Sequence, residues 1–160
     1  MFRRSLVVAL VAAGLGVLTP ASGHASLLWL GVSGGRTRLT GEPDVTSVGA
    51  VLGADVPLIP FLNLEAGYQR LNTVQLQLVT GAALLRVPIL PEVHILARLG
   101  VAQLSGTGGN PTASRNDPLY GAGVSVRLAS PVSVRGEYQV VHDRTLGNIK
   151  TVLGSIVYHF

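Results

Sequence analysis

The chain has 160 residues, enough for one domain, and no cysteine, which excludes a disulfide-stapled scaffold and a lipoprotein anchored through a lipidated cysteine. Its formal charge of +4 rests on scattered arginines, with Lys150 the only lysine, so no basic cluster marks a nucleic-acid surface. Charged residues make up only 12%, about half the usual share of a soluble domain, and no stretch beyond the N-terminus is long enough for a transmembrane helix.

Residues 1–25 read as a secretory signal. Phe2-Arg3-Arg4 supplies a positive start, Leu6 to Leu18 an apolar run, and Thr19-Pro20 its end. Gly23-His24-Ala25 then offers small residues for a cleavage site. Without Arg3 and Arg4 the remaining domain, 26–160, carries a charge near +2.

From there to the C-terminus apolar residues alternate with small or polar ones. The pattern predicts eight strands near 27–38, 46–56, 61–71, 74–87, 92–104, 119–129, 132–142 and 150–160. The first has no clear phase around Trp29, and its Gly34-Gly35 pair marks a bulge or a close strand contact. The polar break "TGEPDV" leads to the second, which ends at "VPLIP", where proline cannot donate to a ladder. The third puts Leu62, Leu64, Ala66 and Tyr68 on one face and Asn63, Glu65, Gly67 and Gln69 on the other. The fourth, after "LNT", is ambiguous because Arg86 falls on the apolar parity: either it snorkels to an interface or Gly81 sits in a bulge. "VPILP" then repeats the earlier proline spacing, and Gly49-Ala50, Gly81-Ala82 and Gly121-Ala122 recur as parts of a repeated hairpin unit. The fifth strand alternates Val93, Ile95, Ala97, Leu99 and Val101 with His94, Arg98 and Gly100. The stretch "SGTGGNPTASRNDP" follows; it lacks the lysine and strand-to-helix setting of a phosphate loop. The sixth and seventh strands meet at Ala129-Ser130-Pro131. Val124, Val126, Leu128, Val132, Val134 and Tyr138 share one face; Gly123, Ser125, Arg127, Ser133, Arg135, Glu137 and Gln139 share the other. After "DRTLGN" the last strand sets Val152, Ile156, Tyr158 and Phe160 against Ser155 and His159.

Short proline turns at one end and mostly longer polar loops at the other describe an up-and-down β-barrel. A face turned to water would be dense in Lys and Glu. Here the polar face is rich in Gly and Ser with few charges, which suits the narrow interior of eight strands. The apolar face then meets lipid; the competing reading is a secreted soluble barrel or sandwich. Tyr68 and Tyr138 toward the loops, and Tyr158 and Phe160 toward the turns, sketch two interfacial girdles. Glu65, Arg98, Arg135 and Glu137 are expected at similar depth in the lumen, with Glu137 opposite Gly123 and near Ser155, and Arg127 completes the set of lumen charges. Charges in so confined a space must be paired, giving a structural plug or, alternatively, an ion gate.

Two segments carry a resemblance: Gly121-Ala122-Gly123-Val124 with Arg127, then Arg135-Gly136-Glu137-Tyr138, and the ending "VLGSIVYHF". They resemble the small OmpA-type eight-stranded outer-membrane β-barrel domain. The resemblance implies an all-β, eight-stranded antiparallel transmembrane barrel over 26–160 in the cell outer membrane, with outer-membrane lipid as its surroundings. It also implies the barrel-assembly machinery as a partner in biogenesis, with Tyr158 and Phe160 as the assembly signal. The sequence departs from that pattern at Ser155, where glycine is usual, with Gly154 one position earlier. No peptidoglycan-binding domain follows Phe160, so the anchoring role of two-domain relatives is not expected.

Lipid-modifying barrels need a nucleophile and a base, and His142-Asp143 is the one seed, with no serine adjacent. His94 and His159 have no metal-ligand spacing. The expectation is therefore a non-enzymatic protein without metal or cofactor and without a nucleic-acid partner. Its role is structural or concerned with envelope integrity. A narrow gated pore and a lipid-modifying outer-membrane enzyme are the alternatives, and no small-molecule ligand is named by the sequence.

Overall fold

The structure, a computed structural model, describes residues 28–41, 43–72, 76–106, 116–143 and 147–160. The expected signal and most of "SGTGGNPTASRNDP" lie outside them. Among the described residues eight strands close into one antiparallel barrel in chain order. They are β1 (Leu28–Arg38), β2 (Val45–Asp55), β3 (Leu62–Leu71), β4 (Leu76–Leu90), β5 (Val93–Gly106), β6 (Asn116–Ala129), β7 (Val132–Asp143) and β8 (Gly147–His159). Each strand pairs with its sequence neighbour, as short connections between antiparallel strands require. The ladder from Trp29↔His159 to Arg38↔Lys150 joins β1 to β8, so no edge strand remains to be paired or covered.

Three strands, β4, β6 and β8, run three residues past an expected end. β4 continues through Pro88, which lies opposite His94, and the register shifts between Pro88 and Leu90. The missing N–H is absorbed as an irregularity at the strand end and does not stop the strand. β6 starts at Asn116, with Pro118 opposite Val101 near the loops. β8 starts at Gly147, three residues before the expected start.

Inside and outside follow the period-two pattern. The faces expected for β3, β5, β6, β7 and β8 hold: Leu64, Ile95, Val124, Val134 and Ile156 are exposed outside, while Glu65, Arg98, Ser125, Arg135 and Ser155 are buried inside. β1 turns its odd residues inward, and Trp29 is fully buried, so it belongs to the lumen and not to a girdle. In β4, Leu78, Thr80 and Leu84 are buried inside and Arg86 shares their parity, half-buried. Arg86 therefore does not snorkel along the outer face. The ladder also runs unbroken through Gly81, which pairs with Ala66 and Val101, so no bulge sits there. The fourth strand was ambiguous because leucines occupy both of its faces. The ladder is likewise continuous through Gly34-Gly35; a Cβ at Gly35 would strike the Val152 backbone, so this is the close-contact case.

Outside the barrel, large apolar side chains stand in the open, with Val32 at 63% and Leu99 at 69% exposure. Tyr68, Tyr120 and Tyr138 lie toward the loops; Phe61, Tyr158 and Phe160 lie toward the turns, the last two with rings edge to face at 5.1 Å. No helix among the described residues is long and apolar enough to cross a membrane, which says nothing about crossing by strands.

Candidate functional site

The candidate site is the lumen, and it is layered. At the loop end Leu39, Val45, Leu71, Leu78, Ala102, Leu119, Val141 and Ile149 form one buried apolar cluster. Seven strands contribute one side chain each, and Leu39 stands just past the end of β1. The result is an inward ring across the barrel. Below it runs a neutral polar belt of buried Thr37, Ser47, Gln69, Thr80, Gln139 and Thr151. The Oγ1 atoms of Thr37 and Thr151 are 3.0 Å apart across the β1–β8 seam.

The charges come next. Glu65 of β3 lies between two guanidinium groups. Its Oε1 accepts from Arg98 Nη2, and its Oε2 accepts from Arg135 Nη1 at 2.6 Å. Glu137 completes the set, with Arg98 Nη2 at 3.1 Å from its Oε1 and Arg135 Nη1 at 3.5 Å from its Oε2. Arg98 Nη1 also donates to Gln139 Oε1 at 3.0 Å, which ties the network to the polar belt. All four charged side chains are at most 4% exposed. Two cations and two anions balance at zero, so the desolvation cost of each is offset by a close partner. Small residues make the space: a methyl group at Gly123, opposite Glu137, would come within 2.7 Å of Glu137 Cγ. On its other side Glu137 faces Leu153, and Ser155 faces Arg135.

Beneath the network, Arg135 lies with its guanidinium 4.5 Å from the ring centroid of Trp29, a cation–π contact. Trp29 packs with Val51, Leu84, Leu96 and Val157 in a second apolar cluster. Its ring lies over Gly53, directly opposite on β2, where a Cβ would overlap the indole.

Arg127, placed with the lumen charges on parity, stands apart. It is exposed near the turn end, opposite Ser133, and among the described residues it makes no ion pair with the network. Its parity is inward, but its strand has by then reached the rim of the barrel. Tyr158 and Phe160, the expected assembly signal, are exposed on the outer face at the turn end. His142 sits outside at the loop end with Nδ1 2.6 Å from Asn148 Oδ1, so its contact is an amide. His159 Nε2 is 3.0 Å from Ser133 Oγ. No group of three or more metal-ligating side chains occurs among the described residues. At the loop end, Arg38, the last residue of β1, grips Asp44 of the β1–β2 loop and holds its carboxyl below the usual carboxylate range.

Of the two apolar features of the lumen, parity alone reveals one. Leu119, Val141 and Ile149 share parity with Gly121, Gln139 and Thr151, so the apolar ring was implicit in the faces already assigned. Trp29 had no such reference, since glycine, valine and leucine surround it.

These features define a class: a closed eight-stranded β-barrel with an apolar exterior and a filled, charge-paired interior. Solved structures share this fold. The N-terminal β-barrel domain of Pseudomonas aeruginosa OprF superposes with a TM-score of 0.61 at 14% identity, over 86% of this chain and 100% of that one. Neisserial surface protein A gives 0.60 at 16% identity, over 86% and 100%. A de novo designed transmembrane β-barrel gives 0.61 at 20% identity, over 86% and 98%. The chain thus has the fold of the small transmembrane barrels, of which outer-membrane proteins are the natural examples. No protein-family model and no curated protein matches the sequence.

Proposed function

We propose that the protein is a small outer-membrane barrel with a structural role in the cell envelope, and that its lumen is closed, non-catalytic and non-conducting. One observation carries the reading: two layers of buried side chains lie across the lumen, the apolar ring at the loop end and the four-charge network below it. Water and ions would have to cross both. The membrane setting is supported by the exterior, where exposed Val, Leu and Ile cover the strands between two levels of Tyr and Phe. Export would use residues 1–25, and the barrel-assembly machinery would read the final strand with Tyr158 and Phe160.

The test is extraction and gel mobility. The protein is expected to need detergent for release from membranes and to migrate faster unboiled than boiled. Release of a folded protein by high salt or carbonate would overturn the membrane reading. The gated pore remains the second reading because the network offers alternative partners: Arg98 and Arg135 each contact both glutamates.

A further inference from the structure

A depression of about 630 Å³ opens on the outside of the barrel where β7, β8 and β1 meet, in their loop-end halves. Gly154 lies in its floor, and its partners across both ladders, Gly34 and Gly136, also lack a side chain. A Cβ built on Gly136 meets nothing within 4 Å, and one on Gly154 meets only a carbonyl oxygen at 3.9 Å. The barrel's own packing does not fill this space. Arg36, Arg38 and Lys150 line its loop-end side, with Arg38 directly opposite Lys150, and Tyr138 and Val152 line the rest. Asp44 is the acid in the lining, and Arg38 holds it through Nε at 2.7 Å and Nη2 at 3.1 Å. Among the described residues Arg36 and Lys150 make no ion pair.

The depression joins two surfaces of different chemistry. Toward the turns it continues into the exposed apolar Val32 and Ile156; toward the loops it ends in three cations against the one carboxylate of Asp44, at the level of a tyrosine. We infer that it binds a phosphate-bearing lipid of the outer leaflet, with the phosphate held by Arg36 and Lys150 and an acyl chain lying over Gly154. The inference rests on the membrane reading above. A second copy of the chain fits less well: a two-fold contact centred here would set Arg36, Arg38 and Lys150 against their own copies, with only Asp44, already held by Arg38, to offset three cations on each side.

The test is native mass spectrometry of the full protein released from detergent micelles, titrated with phosphatidic acid and, in parallel, phosphatidylcholine. One phosphatidic acid is expected per barrel, in clear preference to phosphatidylcholine. Each cation near a lipid surface contributes about five-fold in association, so Arg36→Gln with Lys150→Gln should weaken phosphatidic acid by more than ten-fold. Gly154→Leu should weaken it with the charges intact. Arg70→Gln, at the loop end of β3 and also facing outward, should not. Unchanged binding in the first two variants, or equal loss in the Arg70 variant, would overturn the site. Displacement by inorganic phosphate at matched ionic strength would reassign it to free anions. A wild-type dimer dispersed by Gly154→Leu would assign the surface to a second copy. An unboiled fast-migrating band for each variant separates these outcomes from misfolding; absence of that band in the wild type would count against the membrane reading.

Discussion

Glu65 is the residue on which the lumen turns. It accepts the closest bond from each arginine, whereas Glu137 holds both at longer range. Glu65→Gln leaves two buried guanidinium groups competing for one carboxylate. Its expected cost is about 3–5 kcal/mol, the range for breaking a buried pair from one side. Glu137→Gln should cost less, because Arg98 keeps Glu65 and Gln139. Equilibrium urea unfolding in lipid vesicles measures both, and a double-mutant cycle between Glu65 and Arg135 should show coupling well above error. An equal cost for the two glutamates, or no coupling, would mean that the network is solvated in place. A second prediction concerns Trp29, the single tryptophan of the chain. Its ring occupies the space above Gly53. Gly53→Val should expel the indole from its dry cluster and shift its fluorescence to longer wavelength. An unshifted spectrum would show that the ring has room elsewhere in the lumen.

Among the elements, period two was legible wherever one face carried polar residues. In β3, β5, β6, β7 and β8 the charged and small residues gave the phase, and the lumen charges came with it. In β1 and β4 the inward face is itself apolar in part, with Trp29, Leu78 and Leu84, so alternation had no polar reference. Arg127 shows the other limit: parity gives the face but not the depth, and a residue at the rim shares parity with one in the middle. Which arginine meets which glutamate was also beyond reach, because it depends on how eight strands close around the lumen. Depth can be tested on one strand. Leu99, in the middle of β5, is 69% exposed on the outer face, and Val93 begins that strand at the turn end. Leu99→Arg should cost about 2–4 kcal/mol and Val93→Arg about 0–1, as expected for midplane and interface. Equal tolerance would place β5 outside the hydrocarbon. For the final strand, Phe160→Ala should slow insertion into vesicles containing the assembly machinery while leaving spontaneous folding in detergent near normal. A loss confined to spontaneous folding would make Phe160 a packing residue and not a signal.

For the whole molecule the question is whether the two obstructions act in series. Eight strands enclose too little space for a wide channel, so purified protein in planar bilayers should show no large steady conductance; such a conductance would refute the filled lumen. Neutralising one ion pair as a unit, Arg135→Gln with Glu137→Gln, preserves the charge balance and avoids stranding a single ion. That variant should still be closed, because the apolar ring at the loop end is untouched, and hydrophobic constrictions stop ions by dewetting. Leu119→Ala with Ile149→Ala opens the ring but leaves Glu65 bridging Arg98 and Arg135, so it should be closed too. Only the four changes together remove material from both levels, and that variant should show small, brief openings. Openings in the ion-pair variant alone, as frequent as in the combined one, would mean that the apolar ring does not seal and that the network is the gate. Silence in the combined variant would shift the barrier to the polar belt between them, where the Thr37–Thr151 contact and Gln69 cross the same narrow section.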